Sequence, residues 1–235
     1  MASHLDLEEQ EQLDQLKHFW KQYGNAITWL LILVLGAYAG WNFYQYWQRS
    51  QAQQASALYD ELERAAAGGD LAKVERALAD IKDKFGGTSY AQQGALLAAR
   101  TLAEKGNAEA AKAALAWVAD KASDEGYQAV ARLRLAGLLA DGKALDEALK
   151  QLAGAFPAAF EALAADRRGD ILALQGKKAE AVAEYRKAWQ GMEARSEYRR
   201  LVEVKLVGLG VDPRAASGPR TAAAASAGAS SGPRP

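Results

Sequence analysis

Two histidines, His4 and His18, are the only imidazoles in the chain, and there is no cysteine. Beyond His18 no side chain offers a neutral base that titrates near pH 7, so a serine nucleophile would have only lysine or a carboxylate to activate it. Without thiolates, disulfide frameworks, thiolate zinc sites, iron–sulfur clusters and thiol catalysis are excluded. The phosphate-cradling patterns G-x-x-x-x-G-K-[ST] and G-x-G-x-x-G do not occur. Acidic pairs exist at Asp124-Glu125 and Asp146-Glu147. Each sits beside a break in a helical pattern, where a carboxylate caps or favours a helix N-terminus rather than performing acid–base chemistry. The residue types therefore point away from an enzyme and imply no metal or cofactor.

The remaining function is contact, and the partner class is bounded by charge. Lys+Arg and Asp+Glu are equal at 29 each, so the formal net charge is zero. A nucleic-acid binder needs a basic surplus to displace counterions, so none is expected here. Acidic and basic residues are interspersed at helical spacing, as in Glu184, Arg186 and Lys187, the pattern of a solvated outer face.

Residues 1–25 form a polar, mostly acidic arm in which Leu13, Leu16 and Trp20 recur at helical spacing. From Ala26 to Tyr44 follow nineteen residues without a charge, spanning about 28 Å as a helix against a hydrocarbon core of about 30 Å. Trp20, Tyr23 and Trp29 mark one edge, and Trp41, Phe43, Tyr44, Tyr46 and Trp47 the other, as interfacial rings do. A transmembrane helix over 26–47 is expected. A buried core helix would not need aromatic rings at both edges. A signal peptide cleaved at Ala37-Tyr38-Ala39 would start with a short basic stretch, not an acidic arm. Lys17 and Lys21 precede the span and Arg49 and Arg64 follow it, two against two, so charge leaves the orientation open. Gly36 and Gly40 make a small-xxx-small face suited to close helix packing in lipid.

Residues 48–213 alternate helical stretches with short breaks at Gly68-Gly69-Asp70, Gly86-Gly87-Thr88, Gly106-Asn107, Asp124-Glu125-Gly126, Asp141-Gly142-Lys143 and Gly176-Lys177. Glycine takes the left-handed position after a helix, and Asp or Asn opens the next one. Gly69, Gly106, Gly142 and Gly176 are 37, 36 and 34 residues apart, the size of tetratricopeptide-type hairpins. Gly169, Leu172, Gly176, Ala181, Tyr185 and Ala188 follow the small, large, turn, small, aromatic, small order of such a unit. Ala99, Leu102, Gly106, Ala111, Leu115 and Val118 repeat it. Two departures stand out: an extra residue between Gly142 and Ala148, and Leu62 and Val74 where small residues belong. The expected fold is all-α, one N-terminal transmembrane helix followed by an α-solenoid of hairpins, preferred over a plain bundle. Ser50–Arg64 continues the membrane helix, and Ser196–Leu209 closes the far end. By pattern, Gln93, Arg100, Asp166 and Asp170 face the groove that stacked hairpins form. Residues 214–235, rich in Ala, Gly, Ser and Pro, have no large apolar side chain and are expected to be disordered.

The run from Glu9 to Asn25, EQEQLDQLKHFWKQYGN, leading directly into one span and alanine-rich hairpins, resembles the YfgM family of ancillary SecYEG translocon subunits. That resemblance implies a bacterial inner-membrane protein with a cytoplasmic N-terminal arm and periplasmic repeats. It implies association with the SecYEG translocon, with a membrane-anchored periplasmic chaperone resembling a prolyl isomerase, and with exported polypeptides, all without catalysis. The tail after Pro213 is not part of it. The competing expectation is an envelope scaffold that organises another inner-membrane assembly through the same repeats.

Overall fold

The computed structural model describes residues 7–214; His4 and the tail from residue 215 onward lie outside the described residues. Among the described residues there are nine helices and no strand. They are α1 (Leu7–Ala67), α2 (Leu71–Phe85), α3 (Ser89–Glu104), α4 (Ala108–Lys121), α5 (Glu125–Asp141), α6 (Leu145–Gln151), α7 (Ala158–Leu174), α8 (Lys178–Gly191) and α9 (Glu197–Gly208). The chain divides into two compact units, residues 1–57 and 58–235.

The first unit is helical throughout its described part, and neither 25/26 nor 47/48 coincides with a helix end. No proline precedes Pro157, so nothing in this stretch removes a backbone donor. The apolar side chains from Trp29 to Trp47 are exposed.

In the second unit each helix packs on the next, from α2 through to α9, while α3 also touches α5 and α5 touches α7. α3 pairs with α4, α5 with α6 and α7 with α8, and Leu62 and Ala65 at the end of α1 share one buried core with Val74 and Ala77 of α2. One backbone bond sets each hairpin: Asp70 N–H donates to Ala65 C=O, Asn107 to Leu102, Ala144 to Leu139 and Lys177 to Leu172, at 2.8–3.1 Å. This is the six-residue bond of a Schellman ending, and the residue before each donor has positive φ: Gly69, Gly106, Lys143 and Gly176.

The third of these corrects the sequence expectation. Gly142 has φ −77°, and the left-handed residue is Lys143 at φ 62°. Counted from Lys143, the extra residue before Ala148 disappears. Five residues after the left-handed position stand Val74, Ala111, Ala148 and Ala181; seven before it stand Leu62, Ala99, Ala136 and Gly169. All eight are buried. The large pair in the first hairpin is accommodated by its neighbour, since a Cβ on Gly94 of α3 would already touch Leu62 and Tyr59 at 3.6 Å. At the fourth hairpin a Cβ on Gly169 would stand 2.6 Å from the Tyr185 ring, so α7 and α8 approach this closely only because that atom is missing.

Other breaks differ in kind from the expectation. Gly86 has φ −55° and Gly87 carries no positive φ; the turn instead ends on Thr88, whose hydroxyl accepts from Ala91 N–H at 3.3 Å and caps α3. Asp124 caps α5, accepting from the N–H groups of Gly126 and Tyr127 at 2.8 and 3.1 Å. Asp146 does not cap α6, whose N-cap is Ala144; it lies in the first turn and accepts from Gln175 Nε2 at 2.9 Å. A further break, 152–157, carried no expectation. There α6 stops after seven residues, Gly154 takes φ 85°, and Pro157 opens α7. Two arginines hold the carbonyls this leaves. Arg132 donates to Gln151, Ala153 and Ala155 at 2.8, 2.5 and 3.1 Å, and Arg168 to Leu152 at 3.0 Å. The Arg132 guanidinium also stacks on Phe156, 4.0 Å from the ring centroid.

The hairpin turns can be tested one residue apart. Gly106→Ala should destabilise the full-length protein by about 1 kcal/mol, Gly142→Ala should not, and Lys143→Gly should stabilise it by up to about 1 kcal/mol. Thermal melts in detergent followed by circular dichroism separate the three by a few degrees, about 2–4 °C per kcal/mol at this size. Gly169→Ala should cost about 1–3 kcal/mol by overpacking, more than the helix propensity it gains.

Candidate functional site

Two surfaces carry the residues singled out by the sequence. In the first unit Gly36 and Gly40 lie one turn apart, and an added Cβ on either would meet nothing within 4 Å. The small face is open to an approaching helix.

In the second unit the four groove candidates separate into two pairs. Gln93 and Arg100 lie on α3, seven residues apart. Gln93 is half-buried, and its Nε2 donates to the Tyr127 hydroxyl on α5 at 2.6 Å. Arg100 is exposed, and its Nε donates to Glu104 Oε1 at 2.7 Å within α3. This exposed i,i+4 pair contributes little to stability. At the N-terminal end of α3 the rings of Tyr90 and Tyr59 meet at a tilt, 5.9 Å between centroids.

Asp166 and Asp170 on α7 are covered by the chain's own α9. Asp166 is only 2% exposed. Lys205 Nζ donates to both of its carboxylate oxygens, at 2.8 and 2.9 Å, and to Asp170 Oδ1 at 2.7 Å. The Tyr198 hydroxyl donates to Asp166 Oδ2 at 2.7 Å, and the Tyr185 hydroxyl to Asp170 Oδ1 at 2.8 Å. Burial, reinforced by the carboxylate each hydroxyl serves, pushes both tyrosines well above the ordinary phenol range. Beside this network Arg168 bridges Glu184 and Glu161 at 2.9 and 3.2 Å. Burial opposes ionisation of Glu184, but the hydrogen bonds from Lys187 and Arg168 outweigh it and hold its carboxyl below the usual range.

Register explains why the second pair is covered. Arg100 and Asp170 both stand six residues before a left-handed position. Asp166 stands ten before, where α3 has Leu96 and α5 has Leu133, both packed in the core. α9 ends as the earlier first helices do, with Val211 N–H donating to Leu206 C=O at 3.0 Å and Gly210 at φ 83°. It therefore ends like the first helix of a hairpin, and it packs on α8 and, through Lys205 and Tyr198, on α7. Its Tyr198 and Lys205, seven residues apart, meet carboxylates four residues apart on α7. Gly210 carries a sequence signal for this arrangement, although it is not among the breaks read from the sequence.

No group of three or more metal-ligating side chains exists among the described residues. The geometry provides surfaces for contact: an open apolar helix with one small face, and a row of first helices with exposed polar and aromatic side chains.

Removing the ammonium alone should be costly. Lys205→Met leaves buried Asp166 without its cation and should destabilise the fold by about 3 kcal/mol, while Lys205→Met with Asp166→Leu recovers a large part of that loss. Denaturant midpoints of the two variants provide the comparison. The tyrosines add a pH dependence. Because their folded pKa values are raised, their contribution is complete below about pH 10, the ordinary tyrosine value, and is lost as the pH climbs above it. Unfolding midpoints should fall in that alkaline window, less steeply for Tyr198→Phe.

A model of the tetratricopeptide repeat-like domain matches residues 17–211. A protein of Neisseria gonorrhoeae named ancillary SecYEG translocon subunit is 34% identical over 207 residues, covering 88% of this chain and 98% of its own length. Proteins of the same name from Haemophilus influenzae and Escherichia coli are 32% and 31% identical, covering 78% and 77% of this chain and 90% and 85% of their own lengths. With residues 17–211 matched by the domain model and relatives of 31–34% identity covering most of its length, the chain belongs to the YfgM family of ancillary SecYEG translocon subunits, built on a tetratricopeptide repeat-like domain.

Proposed function

We propose that this chain is an inner-membrane ancillary subunit of the Sec translocon that acts by holding other polypeptides, not by catalysis. In this reading residues 1–25 are cytoplasmic, 26–47 cross the membrane, and the hairpins from residue 48 to 213 stand in the periplasm. There they hold a membrane-anchored chaperone resembling a prolyl isomerase beside exported chains. One observation supports this most: an exposed apolar helix and a stack of helical hairpins occur in one chain, and relatives named as translocon subunits are matched along nearly their whole length. Gly36/Gly40 would pack against a neighbouring membrane helix, and Gln93 and Arg100 would belong to the contact face of the hairpins. Asp166 and Asp170 hold α9 and serve that face indirectly.

Photo-crosslinking amino acids placed at positions 36, 40, 93 and 100 in cells should capture translocon subunits, the chaperone or exported chains. Capture of an unrelated envelope assembly alone would favour the scaffold reading instead. Protease added to spheroplasts should digest the hairpins, while inside-out vesicles should protect them; the opposite pattern overturns the orientation.

A further inference from the structure

The apolar helix has two unlike faces. Gly36 and Gly40 lie on one side. On the opposite side Tyr38, Asn42, Gln45 and Arg49 follow one another at offsets of four, three and four residues, within about 60° of a single line along the helix. With Trp41 and Tyr46 at its margins this face encloses a shallow concavity of about 620 Å³. Asn42 uses one amide N–H on Tyr38 C=O at 3.1 Å, which leaves its other N–H available. The Gln45 amide, one turn from Arg49, adds further donors, and the Tyr38 hydroxyl, about 16 Å down the helix from Arg49, reaches the glycerol ester level rather than the phosphate.

Charge sharpens the picture. Arg49 is the one charged residue from Gln22 to Tyr59, and no carboxylate occurs between Asp14 and Asp60. Asp60 is eleven residues away, about 16 Å along the helix. Arg49 therefore has no counter-ion on its own stretch of helix, although a guanidinium at the edge of a low-dielectric layer favours one strongly. Its Cα lies about 7.5 Å beyond the end of the apolar run at Tyr44, within the headgroup layer of a bilayer.

Below Tyr38 the same face continues as Val34, Leu31 and Ile27. From Tyr38 to Ile27 is about 16 Å, close to the extended length of a fatty-acyl chain. A cationic fork with neutral donors above a smooth aliphatic strip matches an anionic phospholipid in shape and in charge.

We infer that the Tyr38–Asn42–Gln45–Arg49 face binds an anionic phospholipid, its phosphate on Arg49 and the neighbouring donors and one acyl chain along Val34, Leu31 and Ile27. The site rests on the proposed function only in placing 26–47 in a bilayer. It leaves the Gly36/Gly40 face free for a protein helix.

The test is native mass spectrometry of the full-length protein released from detergent with added phosphatidylglycerol or phosphatidylcholine. The wild-type chain should retain phosphatidylglycerol over phosphatidylcholine. Arg49→Gln should lower that retention about fivefold, the effect of one basic side chain at an anionic surface. Arg49→Lys should keep part of it, and Tyr38→Phe with Asn42→Leu should weaken it without abolishing the charge preference. Inorganic phosphate at millimolar concentration should not compete. Equal retention by wild type and Arg49→Gln, or displacement by inorganic phosphate, overturns the inference. Because the measurement contains no translocon, its failure leaves the crosslinking outcome untouched, and the reverse also holds.

Discussion

The repeat domain depends on a single backbone arrangement: a six-residue hydrogen bond closing over one left-handed residue. In each hairpin the position seven before that residue and the position five after it are both buried. Those positions are alanine or glycine in three of the four hairpins, and the one exception, Leu62 with Val74, is offset by Gly94 on the next helix. Were the turn one residue longer, the second helix would rotate by about 100° and present its charged face to the core. The helix-to-helix contacts from α2 to α9 and the burial of the alanines all follow from that register.

Much of this was legible in the sequence because alanine and glycine are informative at helical spacing. The Gly169–Ala188 unit reads correctly residue by residue, and so does the unit from Ala99 to Val118. What misled was the assumption that glycine always takes the left-handed place. At 141–143 an exposed lysine takes it, and Gly142 is the cap residue one place earlier, with negative φ. The break at 152–157 was missed for a related reason. Its hairpin helix is cut short by Gly154 and Pro157, and the freed carbonyls are satisfied by Arg132 and Arg168 from distant parts of the sequence. No local pattern announces such long-range capping.

The contact surfaces were partly legible. Exposed apolar residues over 26–47 follow directly from composition. Gln93 and Arg100 lie seven residues apart on α3, with Gln93 reaching across to α5 and Arg100 paired within its own helix. Asp166 was harder to place, because its partners Tyr198 and Lys205 are more than thirty residues away. A carboxylate at the position where α3 and α5 carry leucine becomes interpretable only once α9 is seen to lie over it.

That junction bears on how the array could have lengthened. Between the earlier hairpins the stacking contacts are apolar or carried by partly exposed polar pairs such as Gln93–Tyr127, so a duplicated unit inserted there would separate no buried charge. Between α8 and α9 the same insertion would strand two acidic groups against hydrocarbon and leave Lys205 without them. α9 is in effect keyed to one predecessor, and a unit duplicated between α8 and α9 would have to bring its own pair of carboxylates to meet Tyr198 and Lys205.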